Sequence, residues 1–119
     1  MAEKTPGEIR DQTLKELRAT RSTMQSLAWD LALDGKPEDV QRTAALERLN
    51  VGKAILALGN AQLIEIRDAL KENEAALLEG IASLAKKKAN LKKIEDTLEV
   101  LSTVLNTLAK VLQFARILP

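Results

Sequence analysis

Leucine recurs at every seventh position over more than half of the chain. The row comprises Leu49, Leu56, Leu63, Leu70, Leu77, Leu84, Leu91, Leu98, Leu105 and Leu112. We assign it to heptad position a, at which coiled coils place apolar residues. A straight helix drifts by about 20° per heptad, so an unbroken row of this length favours a supercoil against another helix. The row therefore predicts a nearly continuous helix over residues 37–118, roughly 120 Å long at 1.5 Å per residue.

The neighbouring heptad positions divide this segment into a weaker and a stronger part. Near the C-terminal end the d and g positions hold Leu101, Val104, Leu108 and Val111, whereas Gly52, Gly59 and Gly80 occupy earlier d positions. Glycine in a helix interior costs up to about 1 kcal/mol relative to alanine. We interpret the glycines as sites of close helix approach, with a bulky facing side chain such as Trp29, or a hinge at Gly59, as the alternatives.

The N-terminal part of the chain has clear helix-boundary signals. Thr5, Pro6 and Glu8 have the spacing of a capping box with proline at the first helical position. Apolar residues then follow at intervals of three and four up to Leu31. Asp34-Gly35 predicts a helix end with a residue in the left-handed conformation, and Lys36–Asp39 predicts the start of a second helix. The first helix is therefore expected over residues 6–33, antiparallel to the next helix.

These patterns predict a single all-helical domain over residues 1–119. We expect an antiparallel helical hairpin whose long second helix forms a coiled coil. The alternative is a four-helix bundle, in which residues 59–60 and 86–90 are turns and the four pieces have similar lengths.

Composition supports helices and argues against enzyme chemistry. The only aromatic residues are Trp29 and Phe114, beside 21 leucines, which is typical of helical seams rather than of aromatic-rich cores. The chain lacks cysteine and histidine, and with them thiolate nucleophiles, the commonest general base and the commonest transition-metal ligand. It also lacks a glycine-rich phosphate loop. We expect no enzymatic activity, cofactor or metal, and we expect the carboxylates of Glu65, Asp68 and Glu72 to be solvated.

Charge and hydropathy limit the classes of partner and compartment. The 18 Lys+Arg and 17 Asp+Glu residues nearly cancel, so we expect no nucleic-acid binding. The polar N-terminal segment is unlike a secretory signal, and no apolar run reaches the ~18 residues that a membrane span requires. We therefore expect a cytoplasmic protein.

Five lysines, Lys86, Lys87, Lys88, Lys92 and Lys93, form what we call the lysine cluster. The leucine row continues through it, so we expect this segment to remain helical. Acidic residues precede and follow the cluster, and this succession suits two staggered helices whose charges set their register. One alternative is a solvated face without a partner, and another is contact with an anionic membrane surface, next to the apolar segment 100–115.

The function that these patterns favour is a non-enzymatic structural or adaptor protein that acts by homo-oligomeric helix–helix association. The partner is then a second copy of the chain, and possibly another protein. One alternative is a membrane-active protein that uses its apolar C-terminal helix, and another is a small helical inhibitor of a single protein partner. The expected oligomer seam comprises Leu63, Leu70, Leu77, Leu84, Leu91, Leu98, Leu101, Val104, Leu105, Leu108, Val111 and Leu112.

Overall fold

The computed structural model describes residues 4–114, and within them the regular structure is entirely helical. The helices are α1 (Pro6–Met24), α2 (Leu27–Asp34), α3 (Glu38–Asn60), α4 (Leu63–Glu72), α5 (Glu74–Lys87) and α6 (Ile94–Leu112), and a 3₁₀ turn, Leu91–Lys93, precedes α6. The predicted all-α class is confirmed. The predicted helix end near residue 118 is wrong, because α6 ends at Leu112, and residues 115–118 lie outside the described part of the chain.

The predicted capping box starts α1. The Thr5 hydroxyl oxygen accepts a hydrogen bond from the Glu8 backbone N–H (3.1 Å), and Glu8 Oε1 accepts one from the Thr5 N–H (3.0 Å). The predicted first helix is interrupted, however, because the Ser26 hydroxyl donates to the Thr23 carbonyl and accepts from the Trp29 N–H, which caps α2. The predicted left-handed stop is also wrong, since Gly35 has a φ of −85°.

The predicted continuous helix over residues 37–118 is wrong for the single chain, which leaves the helix at three places. Ala61 and Gln62 adopt extended conformations between α3 and α4. At Asn73 the side-chain amide donates to the Ala69 carbonyl (2.8 Å) and separates α4 from α5. Asn90 is also extended, and its side chain accepts a hydrogen bond from the Lys92 N–H (3.2 Å).

The helices pack as a bundle of four helical segments, which are α1 with α2, α3, α4 with α5, and α6. Helix α1 packs against α3 and α5, α6 packs against the same two helices, and α4 contacts α1 and α6. With α5 continuing from α4, this arrangement agrees with the four-helix alternative, whose turns were expected at 59–60 and 86–90. The described chain measures 43 × 31 × 18 Å, far shorter than the roughly 120 Å of a continuous second arm.

Close helix approach explains one of the three d-position glycines. A Cβ atom built at Gly80 would lie 2.7 Å from Val104 Cγ2, so the absence of a side chain on α5 lets α6 come close. The same test at Gly52 and Gly59 finds no atom within 4 Å. The expected close approach is therefore wrong for these two residues within the chain, and both border open space.

Candidate interaction surfaces

Most residues that the leucine row assigned to an oligomer seam lie in the core of the single chain. Nine of the twelve are buried and three are partly buried. The buried ones are Leu70, Leu77, Leu84, Leu98, Leu101, Val104, Leu105, Leu108 and Val111, and the partly buried ones are Leu63, Leu91 and Leu112. A partner can reach the buried residues only if the bundle opens. Association through them stays a prediction.

Helix α3 differs from the other helices because the leucine row lies on its outside. The apolar residues of its core face are Ala44, Val51, Ala54, Ile55 and Leu58. Successive helical residues rotate by about 100°, so a residue two positions away points to nearly the opposite side. The a and d positions of α3 therefore face solvent, and the opposite face, which has no glycine, fills the core.

The exposed face of α3 forms a continuous row of leucine and small residues. We call it the outer stripe, and it comprises Ala45, Leu49, Gly52, Leu56 and Gly59. Leu49 is 57% exposed and Leu56 is 66% exposed. Because Gly52 and Gly59 border open space, each leaves a notch beside a leucine. A helix with apolar residues on two opposite faces has one face without a partner inside the bundle.

Basic residues border the outer stripe. Arg42, Arg48 and Lys53 are exposed on α3 around the two leucines. Arg42 lies 3.6 Å from Glu38, one turn earlier on the same helix. The stripe is therefore an apolar strip with a mainly basic border.

A second pair of exposed leucines lies on α2. Leu27 and Leu31 are 73% and 63% exposed and lie one turn apart, on the side away from the buried Trp29. Asp30 and Asp34 are exposed on the same short helix. This surface is smaller than the outer stripe and has an acidic border, which makes it a useful control for experiments on α3.

The lysine cluster occupies a turn rather than a continuous helix. Lys86 and Lys87 lie in the last turn of α5, where positive charge is favourable against the helix dipole, and Lys92 and Lys93 lie in the 3₁₀ turn. The expectation that this segment is helical throughout is wrong, because residues 88–90 link the two helices. Four of the five lysines are exposed, and Lys88 is partly buried.

Lys88 ties the end of α5 to α1. Its ammonium forms an ion pair with the Glu16 carboxylate, and these two side chains are only 19% and 13% exposed. The Thr20 hydroxyl donates a second hydrogen bond to Glu16 (3.0 Å). Lys88 therefore has a structural role, because it joins two helices of the same chain.

Another ion pair joins the loop after α2 to the start of α6. Lys36 Nζ lies 2.9 Å from Glu95 Oε1 and also donates to the Lys92 carbonyl (3.2 Å). The hydrogen bond from Lys36 is the main cause that holds the pKa of Glu95 below its ordinary value. This contact helps to fix α6 beside the start of α3.

A groove of about 430 Å³ runs between α3 and α6. Its lining includes the carboxylates of Asp39, Glu47, Glu95 and Glu99. Glu47 is buried and accepts a hydrogen bond from Asn50 Nδ2 (2.9 Å), a polar pair that the leucine pattern did not indicate. Glu47 lies one turn before Val51 on the core face of α3, and this spacing is the feature of the sequence from which its burial could have been predicted.

The carboxylates of the described residues form no metal-binding arrangement: residues 4–114 contain no group of three potential ligands close enough for an ion. Glu65, Asp68 and Glu72 are exposed, as expected. None of the described helices is both long and apolar enough to cross a bilayer.

Comparison with known proteins gives no relative from which a function could be transferred. No family model matches the chain, no curated protein matches its sequence, and no solved structure matches its fold. The surfaces of the bundle are therefore the basis for a functional assignment.

Proposed function

We propose that this chain is a non-enzymatic structural or adaptor protein that acts by helix–helix association with further copies of itself. The binding surface is the outer stripe of α3. This surface differs from the seam that the leucine row predicted. Of the ten leucines in the row, Leu49 and Leu56 are the exposed ones.

One observation carries the proposal: α3 has a second apolar face that the fold leaves uncovered. Burying a leucine side chain contributes about 1.5–3 kcal/mol relative to leaving it exposed. Leu49 and Leu56 lie seven residues apart on one side of the helix, and the small residues around them allow another helix to come close. A coiled-coil type contact is the arrangement that this spacing fits.

The proposal is tested by measuring mass against concentration for the purified chain of residues 1–119. Sedimentation or light scattering from about 10 µM to about 1 mM covers weak association. We expect the mass to rise above the 13.0 kDa of one chain. The double variant Leu49→Glu/Leu56→Glu should stay at one chain, because each buried contact is replaced by a charge that needs water.

The matched control is Leu27→Glu/Leu31→Glu on α2. These leucines are 73% and 63% exposed, against 57% and 66% for those of α3, so the control changes surface hydropathy to a similar extent without touching the outer stripe. Circular dichroism establishes that each variant folds. A wild-type protein that remains one chain up to about 1 mM, or an α3 variant that associates as the wild type does, would exclude this function.

The two alternative functions find less support in the described surfaces. A membrane-active C-terminal helix requires α6 to leave the bundle, since its apolar residues Leu101, Val104, Leu105 and Leu108 fill the core. An inhibitor of one protein partner could use the same outer stripe. In that case the wild-type protein would remain a single chain in the mass measurement.

A further inference from the structure

We infer that the outer stripe binds the same stripe of a second copy, with the two α3 helices antiparallel about a two-fold axis. The inference rests on the proposed function and specifies the partner surface of that site. A two-fold contact uses one patch on both copies and closes at two chains, whereas contact with a different patch leads to rings or filaments.

The alternation of leucine and glycine favours the antiparallel direction. If Ala54 of both copies lies at the same level, Leu49 of one copy is level with Gly59 of the other. Likewise, Gly52 is level with Leu56 of the second copy. Each leucine then meets a position without a side chain, so each of the four successive layers holds one leucine, contributed by one copy or by the other.

A parallel pair fills the same stripe less well. Every residue would then face its own copy, so Leu49 and Leu56 would form two crowded layers. Gly52 and Gly59 would form two empty layers between and after them. Voids of this kind lose contacts on both sides, so packing favours the antiparallel register.

The acidic leucine face of α2 is another surface that could occupy the outer stripe, since its charges are opposite to those of the border. It offers only Leu27 and Leu31 on an eight-residue helix and cannot reach all layers of the stripe. The two-fold pair instead brings the basic borders of both copies, and hence like charges, to one side of the seam. Its association should therefore tighten as salt screens this repulsion, whereas an α2–α3 contact should weaken.

The size of the stripe indicates a weak dimer. From Ala45 to Gly59 it spans about 21 Å of helix at 1.5 Å per residue. Stable complexes bury about 1,200 Å² or more, and this seam carries two leucines from each copy. We therefore expect a dissociation constant of about 10 µM to 1 mM, tightened by higher salt.

Cross-linking tests the direction of the pair, and the natural chain has no cysteine to interfere. In the antiparallel register, cysteines at Gly52→Cys are about 6 Å apart along the helix axis, but those at Ala45→Cys are about 27 Å apart. We expect a short bismaleimide to link Gly52→Cys dimers and not Ala45→Cys dimers. Adding Leu56→Glu to Gly52→Cys should reduce the linked fraction more than about tenfold.

Each outcome separates the register from the proposed function. Masses that stop at two chains, with linking at position 52 alone, support the antiparallel pair. Linking at both positions indicates a parallel pair. Masses beyond two chains, or loss of association in Leu27→Glu/Leu31→Glu, indicate contact with α2. A parallel pair or contact with α2 overturns the inference and leaves self-association standing. A wild-type protein that stays a single chain overturns both.

Discussion

At the scale of single residues, three glycines with the same heptad position have different surroundings. Gly80 faces Val104 on α6, whereas Gly52 and Gly59 border open space on α3. The sequence showed their common position but not which helix would lie opposite each one. That difference depends on the rotation of α3 in the bundle, which a heptad pattern alone does not determine.

Gly80→Ala should therefore destabilise the fold. Alanine gains about 0.5–1 kcal/mol of helix preference over glycine, but overpacking typically costs about 1–3 kcal/mol. Val104 is β-branched and stiff in a helix, so its methyl group cannot turn away easily. We expect a net loss of about 1 kcal/mol in the free energy of unfolding, measured by urea denaturation.

Gly52→Ala is the matched control, because its Cβ atom meets open space in the single chain. Measured at low concentration, it should stabilise the protein by about 0.5–1 kcal/mol. The double variant Gly80→Ala/Val104→Ala should lose less than the sum of its single variants, because the two residues contact each other. Equal stabilisation by alanine at positions 52 and 80 would show that α5 and α6 do not need the glycine.

At the scale of helices, the leucine row, which was interpreted as a seam between chains, marks the core face of α4, α5 and α6 but the outer face of α3. Leu70, Leu77, Leu84 and Leu98 are buried as a helical stripe requires. In α3 the competing stripe of Val51, Ile55 and Leu58 carries more apolar volume than a stripe interrupted by glycines. Burial of the larger stripe rotates the leucine row to the outside, and the interaction surface arises from this rotation.

The lysine cluster shows a similar limit at the element scale. Its residues are good helix formers, so local preference gave no strong signal for a turn. The turn forms where Asn90 supplies a side-chain acceptor and where folding back lets α6 cover α5. Tertiary packing of this kind outweighs propensity differences of a few tenths of a kcal/mol per residue.

We expect the lysines of the cluster to contribute unequally to stability. Lys88→Met keeps most of the aliphatic stem but leaves the largely buried Glu16 carboxylate without its ion-pair partner. The cost should be about 1–2 kcal/mol, between the values typical of exposed and of buried pairs. Lys86→Met, in the exposed part of the cluster, should change the free energy of unfolding by less than about 0.5 kcal/mol.

A double variant separates the ion pair from packing. Adding Glu16→Gln to Lys88→Met removes the charge that lost its partner and leaves an amide that can still accept from the Thr20 hydroxyl. We expect it to recover part of the stability that Lys88→Met loses. If Lys88→Met and Lys86→Met were equally mild in urea denaturation, the contact between α5 and α1 would have no energetic role.

At the scale of the whole molecule, the sequence predicted helices throughout but not their arrangement. A rod follows from the leucine row only if drift accumulates over nine heptads of one helix. Each actual helix spans at most about three heptads, so its leucines drift by no more than about 60° and stay on one side without supercoiling. The seven-residue spacing is therefore compatible with short helices that fold back, which bury their leucines within one chain.

Small-angle scattering distinguishes the two shapes directly. The Leu49→Glu/Leu56→Glu variant, which removes the leucines of the outer stripe, should have a radius of gyration close to the 14.2 Å of the described chain, plus a small hydration contribution. A compact chain of this length is expected at about 13–14 Å, whereas a rod of roughly 120 Å has a value near 35 Å. The wild type should match the variant when dilute and rise when concentrated, as two bundles join side by side. A value near 35 Å in the dilute variant would mean that the chain opens into the long hairpin, and the outer stripe would then be only one part of a longer seam.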